Sequence, residues 1–171
     1  NLEDISAPAC FEIEERLKAE LNIPVMHDDQ HGTAIISGAA LLNALELVDK
    51  KIADIRIVVN GAGASAISCT KIYLSLGAKK ENIFMYDSKG LIHPERDNLN
   101  GKKPEFVNET LPASTSLTEV LQGADVFIGL SKGNVLSQDM VKGMAANPII
   151  FAMANPTPEI SYEDAKAARP D

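Results

Sequence analysis

Two groups of residues in this sequence have the types and spacing to do chemistry. The first is Gly61-Ala62-Gly63-Ala64-Ser65-Ala66, a G-x-G-x-x-A pattern that follows the apolar run Ile-Arg-Ile-Val-Val at 55–59. A first glycine permits a tight turn, and a second lets backbone approach a pyrophosphate. Ala66 lets the next helix lie close on the strand, so that phosphates meet free N–H groups at its N-terminus. Gly61, Ala62, Gly63, Ala64 and Ser65 are therefore candidate cofactor-binding residues. Asp87 lies 21 residues after Ala66, where an acid accepts hydrogen bonds from an adenine-ribose diol. Ser88 and Lys89 follow it. A carboxylate repels the 2′-phosphate of NADP, whereas serine and lysine bind it, so NAD and NADP both stay open.

The second group is acidic: Glu3-Asp4 and Asp28-Asp29. Converging carboxylates repel one another unless a cation neutralises them. Hard oxygen donors without cysteine select Mg2+ or Mn2+ over Zn2+. Adjacent acids are also common on solvated surfaces, and these residues alone leave both readings open. His27 and His31 have the i, i+4 spacing of a helical metal pair. Gly32 beside them argues for a loop, and they are expected to pack or to hydrogen-bond there.

The elements that must position these groups follow from periodicity. Residues 11–21 read as a helix, 23–26 as a short or edge strand, and 27–34 as a polar loop. A helix over 33–48, with little charge, is expected to be mostly buried, with Lys50 and Lys51 at the favourable end of its dipole. Strands are expected at 55–59, 82–86, 125–128 and 149–152. Helices are expected at 65–76, 116–122, 137–145 and from Ser161 onward. Gly77 serves as a C-cap, Ser137 as an N-cap, and Ser161 with Asp164 as a capping box. Residues 90–112 read as a polar loop region with room for one short helix. Strands alternating with helices give an α/β fold: a doubly wound, Rossmann-type parallel sheet with helices on both faces. Ligands of such sheets lie at the carboxyl ends of the strands, so the turns at 60–65, 129–134 and 155–159 should gather on one edge.

Composition sets the bounds. The 171 residues suit one domain, and 45% hydrophobic with 23% charged residues is an ordinary globular balance. A net charge of −8 gives no footprint for nucleic acid. No apolar run is long enough for a membrane span, and no signal peptide opens the sequence. Cys10 and Cys69 fit neither a metal spacing nor a disulfide framework and are expected to be buried on helices, which suits a reducing cytoplasm. The sequence opens on Asn1, as a piece of a longer protein would.

The ordered set NLEDI, HDDQHGTA, the strand with GAGASA, DSKG and MANPTPEI resembles bacterial malic enzymes along essentially the whole chain. The resemblance implies a metal held by Glu3, Asp4 and Asp29. It makes Asp28 the acid that pairs with a catalytic lysine, and puts Thr33 beside the cofactor. It implies that Asn155 contacts substrate and nicotinamide and that Ser131 lies along the cofactor ribose. Residues 1–32 would then be a metal-site segment linking to an N-terminal domain, and 33–171 the NAD(P)-binding domain.

The implied reaction is oxidative decarboxylation of malate to pyruvate and CO2 with NAD or NADP and Mg2+ or Mn2+, by a homodimer or larger assembly. The tyrosine acid and lysine base of that family fall upstream of its first motif and have no counterpart among Tyr73, Tyr86 and Lys89. The 171 residues alone are thus expected to bind nucleotide but to turn over malate poorly. Competing readings are a stand-alone nucleotide-binding regulatory domain, a metal-independent amino-acid dehydrogenase-like domain and, more remotely, a metal-dependent hydrolase.

Overall fold

The computed structural model describes residues 1–170. Four parallel strands form the sheet: β1 (Ile57–Asn60), β2 (Ile83–Asp87), β4 (Val126–Gly129) and β5 (Ile149–Ala152). A short antiparallel strand, β3 (Gly90–Leu91), closes one edge. The spatial order is β3-β2-β1-β4-β5, so the chain changes winding direction between β1 and β4. That reversal opens the crevice in which doubly wound sheets bind ligands.

Alternation along each strand builds two cores. Ile57, Val59, Ile83, Met85, Val126 and Ile128 face one side of the sheet, where α2 (Asp28–Leu47) and α3 (Ala64–Ser75) cover them. Val58, Phe84, Tyr86 and Phe127 face the other, under Val120 of α4 (Leu117–Val120), Val141 of α5 (Gln138–Lys142) and residues of α6 (Tyr162–Ala168). Strands buried on both faces explain the unbroken apolar runs. A Cβ on Gly38 of α2 would come within 2.7 Å of Ile72 of α3, so glycine is what lets these helices approach so closely. Ser137 and Ser161 cap α5 and α6 as expected, each accepting a backbone N–H three residues on. Cys10, on α1 (Ala9–Glu20), and Cys69, on α3, are buried free thiols.

Several expectations are corrected. No strand forms at 23–26; instead Leu2 and His27 make an isolated parallel bridge, with Leu2 N–H on Met26 O at 2.7 Å and Asp28 N–H on Leu2 O at 2.8 Å. The polar run 28–32 is no loop, because α2 begins at Asp28, where two first-turn acids suit the helix dipole. Nor is α2 mostly buried. Its inner face packs on α3 while Ile35, Ile36, Leu42 and Leu47 are exposed. Lys50 does not serve the end of α2; its Nζ bonds Asp125 at 2.8 Å and the carbonyl of Ala146 at 2.6 Å. The loop region 90–112 contains β3 and a 3-10 turn at Lys103–Phe106. Among the described residues, no helix is long and apolar enough to cross a membrane.

Candidate functional site

The ends of β1, β2 and β4 open into a cavity of about 810 Å3, lined by Gly61, Ala62, Gly63, Asp87, Lys103 and Ser131 among others. Gly61 has φ +141°, and a Cβ there would meet Leu130 O at 2.4 Å, so only glycine makes this turn. Gly63 precedes α3, with Ala64 and Ser65 in its first turn, and the N-terminus of this helix faces the cavity. Ser65 Oγ donates to Asp29 O at 2.6 Å, tying the phosphate-type turn to the start of α2. Thr33 follows one helical turn after Asp29 and is half-buried. On β4's side, Asn60 Nδ2 donates to Ser131 Oγ at 2.9 Å. Asn155 is exposed in the turn after β5. The three turns expected on one edge do meet: Asn134 N–H bonds Pro158 O at 3.0 Å, and Leu130 N–H bonds Asn60 O at 2.9 Å.

Asp87 ends β2 with both oxygens engaged. Arg96 grips it in bidentate fashion, Nη1 to Oδ1 and Nη2 to Oδ2, each at 3.0 Å. Lys103 Nζ reaches Oδ2 at 2.8 Å, and Lys89 N–H reaches Oδ1 at 2.9 Å. Burial pushes this carboxyl up, but the hydrogen bonds from Arg96 and Lys103 outweigh it and hold the group well below the usual carboxylate range. The Lys89 side chain is exposed at the cavity wall. One carboxylate thus stands between two cations, with a third, Lys89, on the cavity wall. Sequence reasoning missed Arg96 and Lys103, because they arrive from an irregular loop with no motif of its own.

The acids of the N-terminal segment are less assembled. Asp4 has φ +58° and donates its N–H to Asp29 Oδ2 at 2.8 Å. Glu3 accepts from Asn1 at 2.6 Å. The Asp28 carboxylate folds over Gly32, where a Cβ would come within 2.3 Å of Oδ1. Asp4 and Asp29 are brought together, but no set of three ligand-type side chains among the described residues is gathered to hold a metal ion. The donor chemistry still fits a hard cation, and the His27 ring, fully buried with both nitrogens unpartnered, has Nε2 3.7 Å from Asp29 Oδ2. His31, on α2 rather than a loop, meets the buried Glu14 carboxylate at 2.8 and 3.0 Å. Burial pushes Glu14 up, but His31 and Lys18 outweigh it and lower its pKa. Tyr73 is buried with its hydroxyl on Ser37 Oγ, and burial pushes its pKa up. Tyr86, also buried, donates to Thr115 O, and its pKa is pushed up to about 12.

Comparison with known proteins agrees with this geometry. Residues 30–169 match the family described as malic enzyme, NAD binding domain. The NADP-dependent malic enzyme of Haemophilus influenzae is 54% identical over 172 residues, covering 100% of this chain and 23% of that protein. The NAD-dependent malic enzyme of Geobacillus stearothermophilus is 54% identical over 165 residues, covering 95% and 34%. The crystal structure of the NAD-dependent malic enzyme of Thermotoga maritima superposes with a TM-score of 0.91 at 44% identity, over 98% of this chain and 45% of that one. The chain therefore spans less than half the length of these relatives. With its reversed sheet, glycine turn and matching sequence, the chain belongs to the malic enzyme family, as its NAD-binding domain.

Proposed function

We propose that this chain seats NADP in a cytoplasmic, homo-oligomeric enzyme that oxidatively decarboxylates malate to pyruvate. The observation that carries the cofactor choice is the cage around Asp87. A bare carboxylate would repel a 2′-phosphate, but this one is already neutralised by Arg96 and Lys103, with Lys89 at the wall. The summed charge there favours an anion. The three turns give the remaining contacts: Gly61 to Ser65 for the pyrophosphate, Ser131 for the ribose, and Asn155 for the nicotinamide and substrate.

Residues 1–32 act in this reading as the metal-site segment and 33–171 as the cofactor domain, although α2 runs through residue 32 unbroken. Glu3, Asp4 and Asp29 would hold Mg2+ or Mn2+, with Asp29 fixed at the start of α2 and Asp4 already bonded to it. Such an ion supplies Lewis-acid polarisation of the substrate's C2 oxygen. Asp28, at the first turn of α2, orients the lysine that moves the proton. Turnover by the full-length protein tests the reading. Reduction of NADP should require both malate and Mn2+, and Asp29→Ala should lose at least about a hundredfold in rate, as mutation of metal ligands and their supports commonly does. Malate oxidation that persists without divalent metal would refute it.

A further inference from the structure

Glu159 closes the turn after β5, and its side chain is fully buried. Its two oxygens serve two different loops. Oε1 accepts the N–H of Ser131, in the turn after β4, at 3.1 Å. Oε2 accepts the N–H of Ala154, one residue before Asn155, at 3.0 Å. Gly129, the last residue of β4, is bare where the carboxyl group rests: a Cβ there would lie 2.3 Å from the Glu159 carboxyl carbon. The backbone carbonyl of Glu159 itself accepts the N–H of Leu136 at 3.0 Å. One side chain thus ties the loops of two neighbouring parallel strands, across the β1–β4 reversal from Asp87.

Burying a carboxylate is costly unless its oxygens are bonded, and an apolar residue of similar size would fill the space at lower cost. A carboxylate whose oxygens each take one loop amide is suited to fixing those loops relative to one another. We propose that Glu159 is a positioning residue for the nicotinamide half of the dinucleotide: without touching the cofactor, it holds Ser131 and the Ala154–Asn155 peptide in register. This rests on the reading that the chain seats NADP across the reversal, with the adenosine half at Asp87 and the nicotinamide half at β4 and β5.

The test compares two ligands by calorimetry on the full-length protein: NADP+ and 2′-phospho-ADP, which lacks both the nicotinamide and its ribose. Glu159→Gln keeps the shape but turns an amide N–H2 toward one of the two backbone donors. NADP+ should bind about tenfold more weakly and 2′-phospho-ADP should bind unchanged, even where the lost buried hydrogen bond lowers the melting temperature of the ligand-free protein. Equal weakening of both ligands, or of neither, overturns the proposal. Wild type that binds neither ligand overturns the dinucleotide reading itself. If Glu159→Gln does not fold, Glu159→Asp, which shortens the reach by one methylene, carries the same comparison. Failure of both variants to fold overturns the proposal in favour of a purely structural role.

Discussion

Asp87 shows how a residue can be found in sequence while its state is not. Its offset from the glycine turn marks it as the acid at the end of β2, but nothing in the spacing announces Arg96 or Lys103, which come from a loop 9 and 16 residues on. In the proposed reading the ion pairs turn a diol acceptor into part of a phosphate-tolerant cage. Lys103→Met should therefore weaken NADP+ binding about tenfold and leave NAD+ binding nearly unchanged, an effect that shrinks as salt rises. Titration at several ionic strengths measures it, and equal losses for both nucleotides would contradict the cage. The same pairs make a pH prediction. A carboxyl whose folded pKa is depressed stabilises the fold fully above its unfolded pKa, about 4, and loses that contribution as pH falls through the folded value. Wild type should lose stability steadily below about pH 4, and Asp87→Asn should show a flatter acid limb in urea unfolding series.

At the scale of elements, periodicity found every parallel strand, since β1, β2 and β4 are buried on both faces and the half-buried edge strand β5 is still a continuous apolar run. It misplaced the start of α2. Gly32 and the histidines read as loop, yet Asp28 and Asp29 are the first-turn acids that a helix N-terminus favours. The error matters, because it is the helix that holds Asp29 near Asp4 and beneath Ser65. It also explains why His31 reaches Glu14 on α1. The expected burial of α2 failed for a different reason: an apolar sequence does not say which face finds a partner. Leu41, fully buried on the inner face, should cost about 2–5 kcal/mol as Leu41→Ala, read by chemical denaturation. Leu42→Ala, on the exposed face, should cost far less. Similar costs for the two would contradict the packing of α2 on α3.

For the molecule as a whole, the doubly wound sheet and the meeting of three turns at one edge are legible in the sequence, because a right-handed alternating chain leaves few topologies, whereas the strand order and the antiparallel β3 are not. The proposed metal site is legible in the sequence only as residue types. Asp4 and Asp29 are adjacent, whereas Glu3 is not gathered with them, and a set of acids alone does not pull itself together against charge repulsion. The Tyr73 and Tyr86 hydroxyls are likewise committed inside the fold and offer no proton to the sheet edge. The chain by itself should bind nucleotide without oxidising malate, and malate-dependent NADPH formation by it would contradict that division of labour. The central claim is that this sheet edge seats a dinucleotide, and calorimetric titration of the chain with NADP+ tests it most directly. Saturable binding at one site per chain, lost in Gly61→Val where a side chain would strike the Leu130 carbonyl, is the predicted result. No heat of binding at millimolar nucleotide, or binding indifferent to Gly61, would contradict it.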